Sequence, residues 1–199
     1  MSHLQNRISK AFSLLELLAV VAIVAIMAVL TMPALRSISR AQDMTRAGTI
    51  LVEQIEKAQQ LATSRARPSE IRFYHFQLPG QPDAQYRAIQ VFSFDERGEM
   101  ASPAFPSVML PGGVALHPLD KFSPILSQAP RSGMSTLPGG TSCSYKAFQF
   151  RPGGSPDLPA NASFVTAVLE SDIPSGRTPT NYSCVKVEPG TGRPLLYRP

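Results

Sequence analysis

Residues 10–35 read KAFSLLELLAVVAIVAIMAVLTMPAL, and this stretch decides what kind of chain the 199 residues form. From Leu17 to Leu35 there are nineteen residues without a charge. At about 1.5 Å per residue they make a helix of roughly 28 Å, close to the roughly 30 Å hydrocarbon thickness of a bilayer, so the segment is long enough to span one. A cleaved secretory signal has a shorter apolar run, about 7 to 15 residues, and ends in a small-x-small site. No Ala-x-Ala ends this run, so removal of the whole segment is not expected. Upstream, Met1 to Ala11 is polar, carries Arg7 and Lys10 and contains no acid. That positive flank predicts a cytoplasmic N-terminus, with everything after Leu35 on the far side of the membrane.

Glu16 does not fit an ordinary anchor. A carboxylate in the first turn of an apolar helix costs a few kcal/mol on insertion scales unless it lies near the interface or is paired. Two readings stand side by side. Either Glu16 sits at the lipid headgroup level, or it meets a cation in a low-dielectric setting, where pairing is strong. A cut between Ala11 and Phe12 creates such a cation, an α-amine four residues before Glu16.

Taken together, Lys10-Ala11-Phe12-Ser13-Leu14-Leu15-Glu16 and the apolar run behind it resemble the class III signal of type IV prepilins and type II secretion pseudopilins. The resemblance implies a basic leader cut by a membrane prepilin peptidase, with Ala11 before the cut and Phe12 as the first mature residue, N-methylated. It implies that Glu16 neutralises the amine of a neighbouring subunit during assembly, and that Pro33 marks a helix kink. Ala11 departs from the Gly usual before the cut in that family. Ala is the next smallest side chain, so cleavage is expected to be retained. The implied partners are the prepilin peptidase, other pilin or pseudopilin subunits, an inner-membrane assembly platform and the membrane itself. The implied location is the inner membrane, single-pass, with a periplasmic C-terminal domain, and then a filament.

After Pro33 charged residues punctuate apolar ones. Ala47, Leu51, Ile55, Ala58 and Ala62 recur at spacings of four, four, three and four, one face of an amphipathic helix. Ile38, Ile50 and Leu61 widen the stripe, and Arg36, Arg40, Asp43, Arg46, Glu53 and Lys57 cover the other sides. Arg67-Pro68 ends it, because Pro disfavours helical geometry in the residue before it. The helix therefore runs from about Phe12 to about Ala66, and its stripe is expected to pack on the chain's own sheet.

The remainder reads as strands. Ile71 to Phe76 and Tyr86 to Phe94 are aromatic and β-branched runs that suggest a hairpin. Val108 to Leu110 and Val114 to Leu116 suggest a second short pair around Pro-Gly-Gly. The Pro-, Ser- and Gly-rich stretch from Pro118 to Gly140 suggests an irregular loop. Tyr145 to Phe150, Ser163 to Glu170, Tyr182 to Val187 and Leu195 to Tyr197 complete the set. The expected fold is α+β, a long N-terminal helix packed on an antiparallel sheet. Its domains are a leader at 1–11, an apolar helix at 12–35, its amphipathic continuation at 36–66 and a globular part at 67–199.

Phe148 to Gly154, with its Arg-Pro-Gly-Gly turn, and Val185 to Arg193, ending in Thr-Gly-Arg, resemble the C-terminal pattern of GspH/FimT-type minor pseudopilins. The arrangement, including the Tyr-Arg-Pro ending, is also similar to the prepilin-like group called Verru_Chthon cassette protein D. Cys143 and Cys184 stand 41 positions apart beside predicted strands. In a disulfide-permissive compartment a bond between them is expected, contributing roughly 4 kcal/mol, with two buried thiols as the alternative. Many type IV pilins close a C-terminal loop in this way.

The 43% apolar content is enough for a core, and 18 of the 19 prolines fall from Arg67 onward, so the chain joins two different materials. The formal charge of +5 falls to +3 without Arg7 and Lys10. Its basic residues are scattered, so no nucleic-acid partner is expected. Gly190-Thr-Gly-Arg193 lacks the Lys-Ser/Thr of a phosphate-binding loop, and no G-x-S-x-G or H-E-x-x-H occurs. His75 and His117 are 42 positions apart, and the two cysteines lack the close ligand pairs of a zinc site. Asn161-Ala-Ser and Asn181-Tyr-Ser match a glycosylation sequon but read as turn residues. Neither an enzyme, a metal nor a cofactor is expected. A minor subunit of a pseudopilus or type IV pilus is the first reading. The alternative is a signal-anchored periplasmic binding module that does not polymerise.

Overall fold

The computed structural model describes residues 13–98, 101–137, 140–174 and 178–199, with the side chains of 30–36 outside the described set. The leader 1–11, the Ala11/Phe12 junction and the side chain of Pro33 therefore lie outside the described residues. The chain divides into two units, Met1–Arg40 and Ala41–Pro199, and the boundary falls within helix α1, Leu14–Arg65.

In the second unit the helix stripe does what its periodicity predicts. Ala47, Leu51, Ile55, Ala58 and Ala62 are fully buried, and Leu61 nearly so. Met44 joins them, whereas Ile38, expected to widen the stripe, is exposed. The helix stops in a Schellman arrangement: Arg67 N–H donates to Ala62 O at 3.2 Å and Ala66 N–H to Thr63 O at 3.3 Å. Ala66 takes the left-handed conformation this cap requires, with φ of 49°.

The helix covers one face of a single antiparallel sheet. Its strands are β1 (Ser69–Phe76), β2 (Gln85–Phe94), β3 (Ala101–Pro103), β4 (Val108–Met109), β5 (Val114–Leu116), β6 (Arg131–Thr136), β7 (Ser142–Phe150), β8 (Phe164–Leu169), β9 (Tyr182–Val187) and β10 (Pro194–Tyr197). They lie in the order β10-β9-β8-β5-β2-β1-β7-β6, with β3 and β4 also on β2. Alternation along the strands sends Ile71 and Phe73, Ile89 and Val91, Phe148 and Phe150, Val165 and Ala167, Val185 and Val187 into the core under the helix. The hairpin β1–β2 forms as expected, with an irregularity between Tyr74 and His75. On the other face Tyr74, Phe76, Ala88, Phe92 and Leu137 make a second cluster, and Tyr74 Oη donates to Gln90 Oε1 at 3.0 Å.

Three expectations need correction. Val108–Met109 and Val114–Leu116 do not pair with each other: the first pairs with β2, and the second meets β2 only at Leu116 and takes its three-residue ladder from β8, a partner distant in sequence. The expected loop 118–140 contains a helical turn, α2 (Pro124–Ser127), whose Ile125 and Leu126 plug the core, and the edge strand β6. Strand β6 has one large apolar residue, Met134, and owes its conformation to the ladder with β7. The third correction concerns the cysteines. Neither is in a disulfide. Cys143 lies on β7 and Cys184 on β9, five strand spacings apart in the sheet order, about 24 Å, where a disulfide requires Cα atoms within about 7 Å.

Polar pins hold the helix to the sheet. Ser183 Oγ donates to Met44 O at 3.0 Å, Ser69 Oγ to Ala58 O at 2.5 Å, and Arg198 Nη2 to Ala41 O at 2.8 Å. Gly48 is buried where a Cβ would stand 2.9 Å from Leu196 Cδ1, so the close approach of α1 to β10 depends on its lack of a side chain.

Candidate functional site

The first unit carries the residues that the sequence singles out. Ser13 and Glu16 form a reciprocal capping box: Ser13 N–H donates to Glu16 Oε2 at 3.0 Å, and Glu16 N–H donates to Ser13 Oγ at 3.2 Å. Two of the amides left without intrahelical partners at a helix start are thereby satisfied. The Ser-x-x-Glu spacing before an apolar run is the sequence signal for this pairing, and reading Glu16 as a lone carboxylate overlooks it.

Beyond Glu16 every large side chain from Leu14 to Val29 is exposed, eleven in all, with fractional exposures from 53% to 83%. A helix apolar all round has no face suited to water. Among the described residues no helix is long and apolar enough to cross a membrane. The expected span 17–35 is met by described side chains only as far as Val29.

In the second unit the two turns singled out near the C-terminus meet on the helix. Gln59 Nε2 donates to Gly154 O at 3.2 Å and to Thr191 O at 2.5 Å. Gly192 has φ of 75°, and a Cβ on it would stand 2.2 Å from Gly154 O. The Pro-Gly-Gly turn and the Thr-Gly-Arg turn thus form one junction with Gln59 as its clasp. Residues 59, 154 and 192 have a packing role here, and Gln59 itself carries no signal in the sequence, since it reads as one more polar helix residue.

Several of the remaining charged groups sit in ion pairs, of which Arg72, Glu70, Arg131 and Asp157 form one chain. Arg87 Nε donates to Glu170 Oε1 at 2.6 Å, and the arginine is nearly enclosed. Glu70 binds Arg72 at 2.5 Å and accepts from Gln149 Nε2 at 3.1 Å, while Arg72 stacks 3.8 Å above the Phe92 ring. Arg131 pairs with Asp157. Each cation here has a carboxylate beside it, which is how charges are accommodated on a half-buried sheet face. His75 packs 4.7 Å from the Tyr86 ring, and burial pushes its pKa down. His117 is fully buried; Leu119 N–H donates to its Nδ1 at 3.2 Å, and its Nε2 has no partner. Burial, and then the Lys121 ammonium, push its pKa down. Burial likewise raises the Cys143 and Cys184 thiols. Among the described residues no three His, Cys, Asp or Glu side chains gather where they could hold a metal ion.

No protein-family model matches the chain, and no curated protein does. Among solved structures it is similar to the minor pseudopilin EpsH from the Type 2 Secretion System of Vibrio cholerae, at 7% identity and a TM-score of 0.43, over 79% of this chain and 98% of that one.

Proposed function

We propose that the chain is a prepilin-like structural subunit. It is made as an inner-membrane protein with a cytoplasmic N-terminus, cut between Ala11 and Phe12 by a prepilin peptidase and methylated on Phe12. An assembly platform then draws it from the membrane into a pseudopilus or type IV pilus as a minor subunit. The observation that carries the reading is the apolar helix surface of residues 14–29, exposed on all sides and interrupted only by Glu16. At about 25 cal/mol per Å² such a surface is driven out of water, either into lipid or against the same segment of other subunits. An anchor needs the apolar surface alone. Phe12 directly after a basic leader, and an acid at Glu16, are what subunit packing requires in addition.

Mass spectrometry of the protein co-expressed with a prepilin peptidase tests the processing. A mature chain starting at methylated Phe12 is expected, and a start at Met1 or Ser2 under those conditions overturns the reading.

A second reading, an anchored periplasmic binding module that never polymerises, draws support from the capping box, because Ser13 gives Glu16 a partner within its own chain. The two readings part at filament incorporation, which only the first requires.

A further inference from the structure

Strand β6 ends the sheet order, and among the described residues no strand pairs with its outer side. Leu137 N–H donates to Thr141 O at 3.0 Å, which makes 137 and 141 a hydrogen-bonded pair. Counting back along the unbroken register, Ser135 with Cys143, Gly133 with Tyr145 and Arg131 with Ala147 are the pairs that exchange bonds with β7. The N–H and C=O groups of Ser132, Met134 and Thr136 therefore point away from the sheet, in a row that an added strand can match. The three side chains are exposed, that of Met134 at 71%.

Natural sheets blunt such edges with lysines, prolines or bulges. The opposite edge follows that rule, since β10 has four residues and opens on Pro194. Strand β6 does not. Residues 132–136 read Ser-Gly-Met-Ser-Thr, without charge or proline, and Arg131 is held by Asp157. The edge is also built in advance. Tyr145 lies across Gly133, where a Cβ would stand 2.8 Å from its hydroxyl, so β6 needs no rearrangement before a guest is seated.

Charge selects the guest. Lys146 stands beside Ser132 in the β6–β7 register and beside Phe73 in the β1–β7 register. Phe73 is fully buried and Ser132 exposed, so the ammonium is accommodated on the Ser132 side. Among the described residues no carboxylate pairs with it. A guest residue opposite Ser132 lies two strand spacings from Lys146, about 9.6 Å, a gap that a Lys and a Glu side chain close together over the small Ser132. We propose that the outer edge of β6 takes an extended segment of a partner protein as an antiparallel strand, with an apolar residue opposite Met134 and, two residues later, a carboxylate opposite Ser132 that meets Lys146. Main-chain bonds supply the affinity of such strand addition, and alternate side chains the selectivity. The edge lies in the second unit, so it stands or falls apart from the filament reading.

The probe is fluorescein-Gly-Thr-Thr-Leu-Thr-Glu-Thr-amide, in which Leu is to face Met134 and Glu to face Ser132. Its fluorescence anisotropy is followed as the full chain in detergent micelles is added, against empty micelles. A Kd of about 0.1 mM is expected. The peptide with Gln for Glu is expected to bind about threefold more weakly, and Lys146→Gln to erase that difference. N-methylation of the Leu and Glu amides is expected to abolish binding, with the protein unaltered. Met134→Pro removes an N–H that β7 does not use, so it is expected to keep the far-UV circular dichroism and lose the peptide. No saturable rise in anisotropy up to about 0.5 mM protein overturns the proposal, as does equal binding of the N-methylated peptide or a Glu preference that survives Lys146→Gln. A dimer in analytical ultracentrifugation that Met134→Pro dissolves assigns the edge to a second copy and overturns it too.

Discussion

The Ser13 amide donates to the Glu16 carboxylate at 3.0 Å while the Glu16 amide donates to the Ser13 hydroxyl at 3.2 Å, so in the single chain the one acid of the apolar segment is engaged at its own helix start. The carboxylate has two tasks that a substitution can separate. Gln at this position keeps a capping box but carries no charge. Glu16→Gln is therefore expected to leave the helix start and membrane insertion intact and to abolish incorporation into filaments. Glu16→Val is expected to lose both the cap and incorporation. Filament pull-down with immunoblotting reads incorporation, and normal incorporation of Glu16→Gln rules out pairing with a neighbour's amine as the role of the charge. Ser13→Ala is expected to cost about 1 kcal/mol of helix-start stability and to spare incorporation.

A second prediction concerns the other end of the helix. Ala66 holds φ of 49°, where the Cβ of an L-residue costs about 1 to 2 kcal/mol and Gly costs nothing. The Schellman bonds from Ala66 and Arg67 need only backbone atoms, so Gly can make them equally well. Ala66→Gly is expected to stabilise the protein by about 1 kcal/mol, raising Tm by about 2 to 4 °C in thermal denaturation of the detergent-solubilised chain. A lower Tm refutes the assignment of the cap.

Gly192 and Gln59 make a third. A Cβ at position 192 meets Gly154 O at 2.2 Å and Gln59 Nε2 at 2.8 Å, in a backbone conformation that already disfavours it. Gly192→Ala is expected to lower stability by more than about 2 kcal/mol, combining that backbone cost with the displacement of two turns. Gln59→Ala removes the donor to two carbonyls that water can still reach in part, so its expected cost is nearer 1 kcal/mol. Chemical denaturation of the two variants gives the comparison, and an equal, small effect of both disproves the clasp.

The stripe Ala47 to Ala62 was legible because helix burial leaves a period in the sequence, and the long strands because β1, β2, β7, β8 and β9 are rich in β-branched and aromatic residues. What failed was whatever depends on distant neighbours. Ile38 continues the period and is nevertheless exposed, and β6 has no period but has β7 beside it. Cys143 and Cys184 both flank strands, yet sheet order separates them, and order is a property of pairing that no local pattern records. Of the candidate site, Glu16 is legible as an anomaly of charge, while its pairing with Ser13 is carried by the Ser-x-x-Glu capping spacing, which charge alone does not mark.

The separation of the cysteines leads to a fourth prediction. Reducing agent is expected to leave Tm unchanged, since no loop is closed. Cys184, half-buried beside Thr166, is expected to react with iodoacetamide in the native protein, and Cys143, whose Sγ donates to Ser135 O at 3.2 Å inside the second cluster, only after unfolding. A Tm that falls by several degrees on reduction contradicts the sheet order itself.

The last prediction follows from two histidines, His117 buried and His75 half-buried. Burial lowers the pKa of both His75 and His117 in the folded chain, whereas in the unfolded chain each titrates near 6.5. Both are therefore neutral when folded, and below about pH 6.5 the unfolded state binds the protons first. Stability is complete above that pH and is lost as pH falls toward the folded pKa values. His117 is the sharper case, since its Nε2 has no partner and Lys121 opposes a second charge nearby. Tm measured from pH 7.5 down to 5 is expected to fall, and His117→Gln is expected to flatten that fall more than His75→Gln, because His75 is only partly enclosed and the Ala84 backbone opposes part of its shift. A Tm independent of pH over this interval removes the two neutral histidines from the stability of the fold.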